Sequence, residues 1–277
     1  MITFFSIPKP CAGHIGVIQR NAVLSWSKLA GKLGAQVVLL GEESGVAELA
    51  AEAGAAHVPT VARNAHGTPL VDDLFTRAEA AARPGDLLCY INADIVLLDD
   101  FADAARRLAR AKRKFLMVGQ RWDAPVTDPI VFDDKWQAKL RDLAAAKGSL
   151  HKPTGIDYFL YSRGLFGRVP PFAVGRTAWD NWLIYRARSL KAPVVDATGA
   201  VLAIHQNHDY AHGGGFKQVW KGEEAKLNFE LAGGQSHIFT IWDASHKLDA
   251  AGLHPNTRHS LGGGIWNYRR SAQFGVG

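Results

Sequence analysis

The stretch that decides the fold is Leu87-Leu88-Cys89-Tyr90-Ile91-Asn92-Ala93-Asp94-Ile95-Val96-Leu97-Leu98. A strand buried on both faces reads as a near-continuous apolar run, and residues 87–91 read that way. A polar residue set inside such a run has to be satisfied or useful. Asn92 and Asp94 are two positions apart, so on an extended chain both point to one face. A carboxylate beside a carboxamide at the end of a buried strand is a seat for a hard divalent cation and phosphate oxygens. The same residues also fit an ordinary strand-to-loop junction in which Asp94 turns the chain.

On either side, strands alternate with single helices. Residues 2–8 form a strand that stops at Pro8-Lys9-Pro10, and Ile15, Ile18, Ala22, Trp26, Leu29 and Leu33 follow at helical spacing. A strand at 36–41, a short helix at 46–53, a brief strand near 57–58 and an amphipathic helix over 70–82 lead to the apolar run. A helix from about Asp100 and a strand at 115–119 lead away from it. This order implies βαβ units and a mostly parallel sheet, with ligands beyond the carboxyl ends of its strands. Those ends carry Pro8-Lys9, Glu42-Glu43, Asn92-Asp94 and Gln120-Arg121-Trp122-Asp123.

The second half is less regular. A polar, Pro-rich segment over 123–134 precedes a helix at 136–146 and a strand at 155–161. Positions 182, 183, 187 and 190 then share a helical face that begins at Trp179, and strands at 193–197 and 201–204 end at His205. The last sixty residues have weak periodicity and clustered glycines, which predicts loops and a lid. The expected organisation is one domain over 1–210, split into a nucleotide-sugar half (1–123) and an acceptor half (124–210). An irregular extension over 211–277 would follow.

With 277 residues and 47% hydrophobic content, the chain can bury a large core. No run approaches the ~18 apolar residues of a membrane span. The start, Met1-Ile2-Thr3-Phe4-Phe5, reads as a first strand and not as a signal peptide. Two cysteines, Cys11 and Cys89, give no disulfide framework and fit a reduced, intracellular protein. The net charge of +6 is spread along the chain. Its densest cluster, from Arg106 to Lys114, reads as a solvated helix face, with an anionic membrane surface or polyanionic substrate as the competing reading. Eight tryptophans supply either core or flat faces for sugars and bases.

Several groups carry candidate chemistry. Lys9, Arg20, Glu42 (or its neighbour Glu43) and Asp72 (or Asp73) would ring a bound base and ribose, since an acidic side chain accepts hydrogen bonds from ribose hydroxyls. No Gly-x-Gly-x-x-Gly follows the first strand and no Gly-Lys-Ser phosphate loop occurs, so bound phosphates would need a metal and basic side chains. Asp180 lies three residues after Thr177, which is a capping-box spacing. It is equally a carboxylate at a helix start, between Trp179 and Trp182, able to deprotonate a hydroxyl. His205, His208 and His212 match neither His-Glu-x-x-His nor a Cys/His site. One of them, His205 before His208, would complete a metal or pyrophosphate site with Asp94.

Taken in order, these residues resemble the GT-A fold nucleotide-sugar glycosyltransferases over most of 2–210. N-terminal nucleotide-binding units precede an Asp-x-Asp type motif, here Asn92-Ala93-Asp94. A Glu-Asp type motif at a helix start follows, here Trp179-Asp180, and then a histidine after the closing strand, here His205. Asn stands for the first Asp of one motif and Trp for the Glu of the other. The resemblance implies an α/β, GT-A-like domain that transfers sugar from a UDP- or GDP-linked donor to a glycan or glycolipid hydroxyl. It implies Mn2+ or Mg2+ held by Asp94 and His205, Asn92 on the donor, and Asp180 as the base of an inverting reaction. Arg121, Trp122, Asp157, Trp179 and His208 would line the sugar or acceptor side. No nucleic-acid partner is implied. The expected setting is cytoplasmic polysaccharide or glycoconjugate synthesis, with a peripheral seat on the inner membrane face as a variant. Two rivals remain: a sugar-phosphate nucleotidyltransferase, which residues 8–13 fit poorly as a signature loop, and a non-catalytic carbohydrate-binding protein, suggested by the tryptophans.

Overall fold

The structure, a computed structural model, describes residues 1–207 and 222–257. β1 (Ile2–Ser6), β2 (Gln36–Leu40), β3 (Ala56–Val58) and β4 (Leu87–Ile91) are joined by three helices, α1 (Gly13–Leu33), α2 (Val46–Ala53) and α3 (Val71–Ala81). β5 (Ile95–Val96), α4 (Asp99–Ala111), β6 (Leu116–Val118), β7 (Arg121–Ala124), α5 (Trp136–Lys147) and β8 (Ser149–Leu150) follow. The chain continues through β9 (Tyr158–Ser162), α6 (Trp179–Ser189), β10 (Val194–Asp196) and β11 (Ala203–Gln206). After residue 221 come α7 (Glu223–Ala232), β12 (His246–Asp249) and β13 (Gly252–Pro255).

Nine strands form the main sheet in the order β13-β12-β10-β6-β9-β4-β1-β2-β3. Its neighbours pair in parallel except around β9, which runs against both β4 and β6, and at the β12–β13 hairpin. Alternation along each strand builds two cores. Phe5, Leu88, Tyr90, Phe159 and Tyr161 face α3 and α6, while Phe4, Cys89, Ile91 and Leu160 face α1, α2 and α4. All five residues of β1 are buried, as a strand covered on both faces requires. α1 buries Ile18, Ala22, Trp26 and Leu29 along one side and ends at Gly34, whose φ of 63° gives the left-handed turn that closes the helix.

Three features differ from the sequence reading. Arg121, Trp122 and Asp123 are not loop residues beyond a strand: they form β7 in a second sheet of order β5-β11-β7-β8, packed through Val96, Ala124 and Ile204 on Trp136 and Leu140 of α5. Asn92-Ala93-Asp94 is not extended. It is a turn closed by Ile95 N–H donating to Asn92 O at 3.1 Å, because the chain leaves the main sheet there to enter the small one. The described part of the expected extension beyond 211 carries a helix and two strands in place of loops. β12 pairs in parallel with β10, so it widens the main sheet.

A close approach supports the junction of the two sheets. A side chain on Gly119, between β6 and β7, would run into the Tyr158 hydroxyl, and the Thr198 amide lies 3.3 Å from the same point. Gly119→Ala is expected to destabilise the protein by about 1–3 kcal/mol in denaturant unfolding. Adding Tyr158→Phe should recover most of that loss, because the buried Tyr158 hydroxyl has no hydrogen-bond partner among the described residues.

Candidate active site

The carboxyl end of β4 gathers a continuous polar network. β9 runs antiparallel to β4 with Tyr158 opposite Ile91, so Asp157 falls beside Asn92. Asn92 N–H donates to Asp157 O at 2.9 Å, and Asn92 Nδ2 donates to Asp157 Oδ1 at 2.8 Å. The same oxygen accepts from Arg121 Nη1 at 2.9 Å. Arg121 also donates through Nε to Asp123 Oδ1 at 3.0 Å, two residues along β7 and on the same face. Asp123 Oδ1 lies 3.1 Å from His205 Nδ1, and Asp123 Oδ2 bonds His151 Nδ1 at 2.6 Å. His205 Nε2 lies 3.7 Å from Asp94 Oδ2.

The electrostatics follow from these contacts. Burial alone would raise the Asp123 carboxyl, but His151, Arg121 and His205 outweigh it and hold the group below the usual carboxylate range. A histidine whose Nδ1 faces a carboxylate turns its Nε2 lone pair outward, which is the arrangement of metal-binding imidazoles. Here that lone pair is turned toward Asp94. Two ligands each about 2.1 Å from a shared divalent ion stand roughly 3 to 4 Å apart, so Asp94 and His205 fit such an ion. Among the described residues no three His, Cys, Asp or Glu side chains converge as a complete cage.

Asp180 approaches from the other side. It is the second residue of α6, behind Trp179, whose ring packs edge-on against Tyr90 at 5.1 Å and tilted against Phe159 at 5.7 Å. Tyr90 feels the charges of Asp94, Asp157 and Asp180, which add to burial in raising its phenol. These three carboxylates therefore share one neighbourhood around the end of β4. Asp180 Oδ1 is sealed from solvent and has no hydrogen-bond partner among the described residues. Burial, reinforced by Asp157 and partly offset by backbone N–H groups at the helix start, pushes the carboxyl up to about 7. The capping box with Thr177 is not formed: the helix begins after Ala178, with no side-chain cap. Ala178 has a φ of 84°, a strained backbone for a residue with a side chain, of the kind concentrated at functional sites.

The structure thus joins Asn92, Asp94, Arg121, Asp157 and His205 and sets Trp179 and Asp180 beside them. Lys9 stands exposed just past β1, its backbone held by the Gln19 carboxamide. Other expected residues lie elsewhere. Arg20 pairs with Glu52 across the outer surface of α1 and α2, because its helical position faces α2. Glu42 is exposed, and Glu43 is the residue turned inward, against Arg63 at 2.6 Å. Asp72 lines a groove with Phe75, Phe166 and Val169 beside α3. Trp122 alternates with Arg121 and Asp123, so it faces the opposite side of the small sheet, where it pairs with Ile204 and Leu150. His208 lies outside the described residues. Two members of the network, Asp123 and His151, carried no assigned role in the sequence reading. Asp123 was signalled by its two-residue spacing from Arg121 once 121–124 is a strand, whereas nothing local marks His151.

No protein-family model matches the chain, and no curated protein matches it in sequence. Solved structures do. Glucosyl-3-phosphoglycerate synthase from Mycobacterium tuberculosis, in complex with Mg2+ and uridine-diphosphate, superposes with a TM-score of 0.50 at 16% identity, covering 85% of this chain and 80% of that one. The same enzyme with Mn2+, uridine-diphosphate and phosphoglyceric acid gives 0.51 at 15% identity, covering 85% and 79%. At such identities the likeness is one of architecture. The chain has the GT-A fold of the nucleotide-sugar glycosyltransferases.

Proposed function

We propose that this protein is a metal-assisted glycosyltransferase that moves a sugar from a nucleotide-diphospho-sugar to an acceptor hydroxyl with inversion. The observation that carries the reading is the chain of contacts Asn92–Asp157–Arg121–Asp123–His205–Asp94 at the carboxyl end of β4, with the Asp180 carboxyl, its Oδ1 shielded from solvent, alongside. Support comes from the fold neighbours, which hold uridine-diphosphate with Mg2+ or Mn2+.

Asp94 and His205 would hold a divalent ion, Mn2+ or Mg2+, which offsets negative charge on the leaving diphosphate. Two protein ligands suit an ion that takes its remaining oxygens from substrate phosphates and water. Arg121 and Asp123 keep His205 oriented, and Asn92 and Asp157 fix the turn that presents Asp94. Asp180 accepts the acceptor's hydroxyl proton as that oxygen attacks the anomeric carbon. The bond to the diphosphate breaks, and its electron pair leaves with the nucleotide. A base that titrates near neutrality is matched to this role. Trp179 is buried against Tyr90 and Phe159, so it backs the start of α6 and does not face the sugar as the sequence reading expected, and Lys9 stands where a nucleotide over β1 would meet it. The setting we favour is cytoplasmic glycoconjugate synthesis; among the described residues no helix is long and apolar enough to cross a membrane.

Asp94→Ala should leave the protein folded and abolish the thermal stabilisation by UDP or GDP with Mn2+, and a chelator should do the same to the parent. Stabilisation that survives both treatments would remove the metal assignment. Asp180→Asn should lower kcat by about 10²–10⁴-fold with donor binding unchanged, and parent turnover should climb as pH rises through about 7. Stability carries the opposite sign. A carboxyl that holds its proton more tightly when folded contributes stability below about pH 4, and that contribution is lost as pH rises through about 7. Asp180→Asn should therefore gain on the parent between pH 4 and 7 by about 1–3 kcal/mol, discounted for solvent in the cleft, in denaturant unfolding followed across pH.

A further inference from the structure

The segment that presents Asp180 is held from the C-terminal side of the chain. Asn228 of α7 is fully buried, and all of its side-chain bonds go to one loop. Its Oδ1 accepts from Ala173 N–H at 2.8 Å, while Nδ2 donates to Ala173 O at 3.0 Å and Thr177 O at 3.1 Å. One carboxamide thus spans residues 173 to 177 and uses both donors and its acceptor. One turn earlier on α7, Glu224 takes Arg176 through Nε at 2.9 Å and Nη2 at 2.7 Å, and holds Asn64 Nδ2 at 2.7 Å. Beyond Asp180, Asn181 Nδ2 donates to Phe239 O at 2.7 Å. The strained Ala178 lies between these anchors. A φ of 84° costs on the order of 1–3 kcal/mol and persists only where the surroundings enforce it.

We infer that α7 is the positioning element for Asp180, with Asn228 the positioning residue that holds the 173–178 loop in its strained form. The inference rests on the reading of Asp180 as the base and adds a device to it. Nothing in α7 touches the reacting atoms. Its bonds set the angle at which α6 starts, and so the depth at which the Asp180 carboxyl sits beside Tyr90 and Asp157. Freed at 173 and 177, the loop would relax at Ala178 and admit water to Oδ1 of a carboxyl that is now only partly exposed.

The test is a 13C carboxyl titration of the full chain, with the Asp180 signal assigned by its loss in Asp180→Asn. Asn228→Ala should lower the Asp180 midpoint by at least one pH unit while leaving calorimetric binding of UDP or GDP with Mn2+ within about twofold of the parent. A lowered melting temperature with an unmoved midpoint would assign Asn228 a merely structural role and overturn the inference. Should Asn228→Ala not fold, Glu224→Gln loosens the outer clasp alone and should move the midpoint in the same direction by a smaller amount; no movement there also overturns it. Failure of both nucleotides to bind the parent would count against the proposed donor, and the titration would still report whether α7 sets the carboxyl.

Discussion

One buried oxygen, Asp157 Oδ1, joins the parts of the molecule that make the site. It takes Asn92 from the end of β4 and Arg121 from β7, so the main sheet and the small sheet meet on a single acceptor. A carboxylate withdrawn from water is tolerable only when paired and hydrogen-bonded, and Asp157 meets that condition at Oδ1, through one charged and one neutral donor, while its buried Oδ2 has no hydrogen-bond partner among the described residues. Removing Arg121 would leave two carboxylates, Asp157 and Asp123, without their shared cation. The pairing follows from topology: because β9 runs against β4, residue 157 is delivered to residue 92 without any sequence proximity.

A second polar layer lies beneath the first. Asn21 of α1, fully buried, donates to Gln206 Oε1 at 2.9 Å and Asp128 O at 3.0 Å and accepts from Ile130 N–H at 2.8 Å. Gln206 in turn donates through Nε2 to Ile18 O at 2.7 Å and Asp94 O at 3.2 Å, and Trp26 Nε1 donates to Ile95 O at 2.8 Å. Satisfied networks of this kind fix geometry because every alternative leaves a buried polar group unpaired. The Asp94 turn is thus held by α1 from below and faced by His205 above. The Asp94 turn is the part held by buried side chains, while Asp180, the proposed base, sits at the start of α6 just after a loop held by α7.

Much of the fold could be read from the chain because apolar periodicity is a local signal. The strands through β4 and the helices α1 to α3 follow from it within a residue or two. The order of Asn92-Asp94, Trp179-Asp180 and His205 came instead from the resemblance to the GT-A glycosyltransferases. The small sheet was not legible, because two of its strands are two residues long and a third reads as the polar run Arg121-Trp122-Asp123. Nor could the sequence show that Arg20 faces Glu52, since helical position alone does not say which neighbour a surface side chain meets. His151 and Asn228 were invisible for a further reason. Each acts through partners 28 to 55 residues away, and nothing beside them in the chain marks that role.

The reversed strand β9 also bears on how the chain is made. β6 has two neighbours in the sheet, β9 and β10, and both lie later in the sequence. As the polypeptide leaves the ribosome, the first four strands can assemble, but β6 waits unpartnered until Tyr158 to Ser162 emerge about forty residues later. At about 5–20 residues per second this interval lasts a few seconds, with an apolar edge of Leu116, Met117 and Val118 open to other chains. Pairing with β9 covers one side of β6, and the other side stays open until Val194 to Asp196 emerge about thirty residues later still.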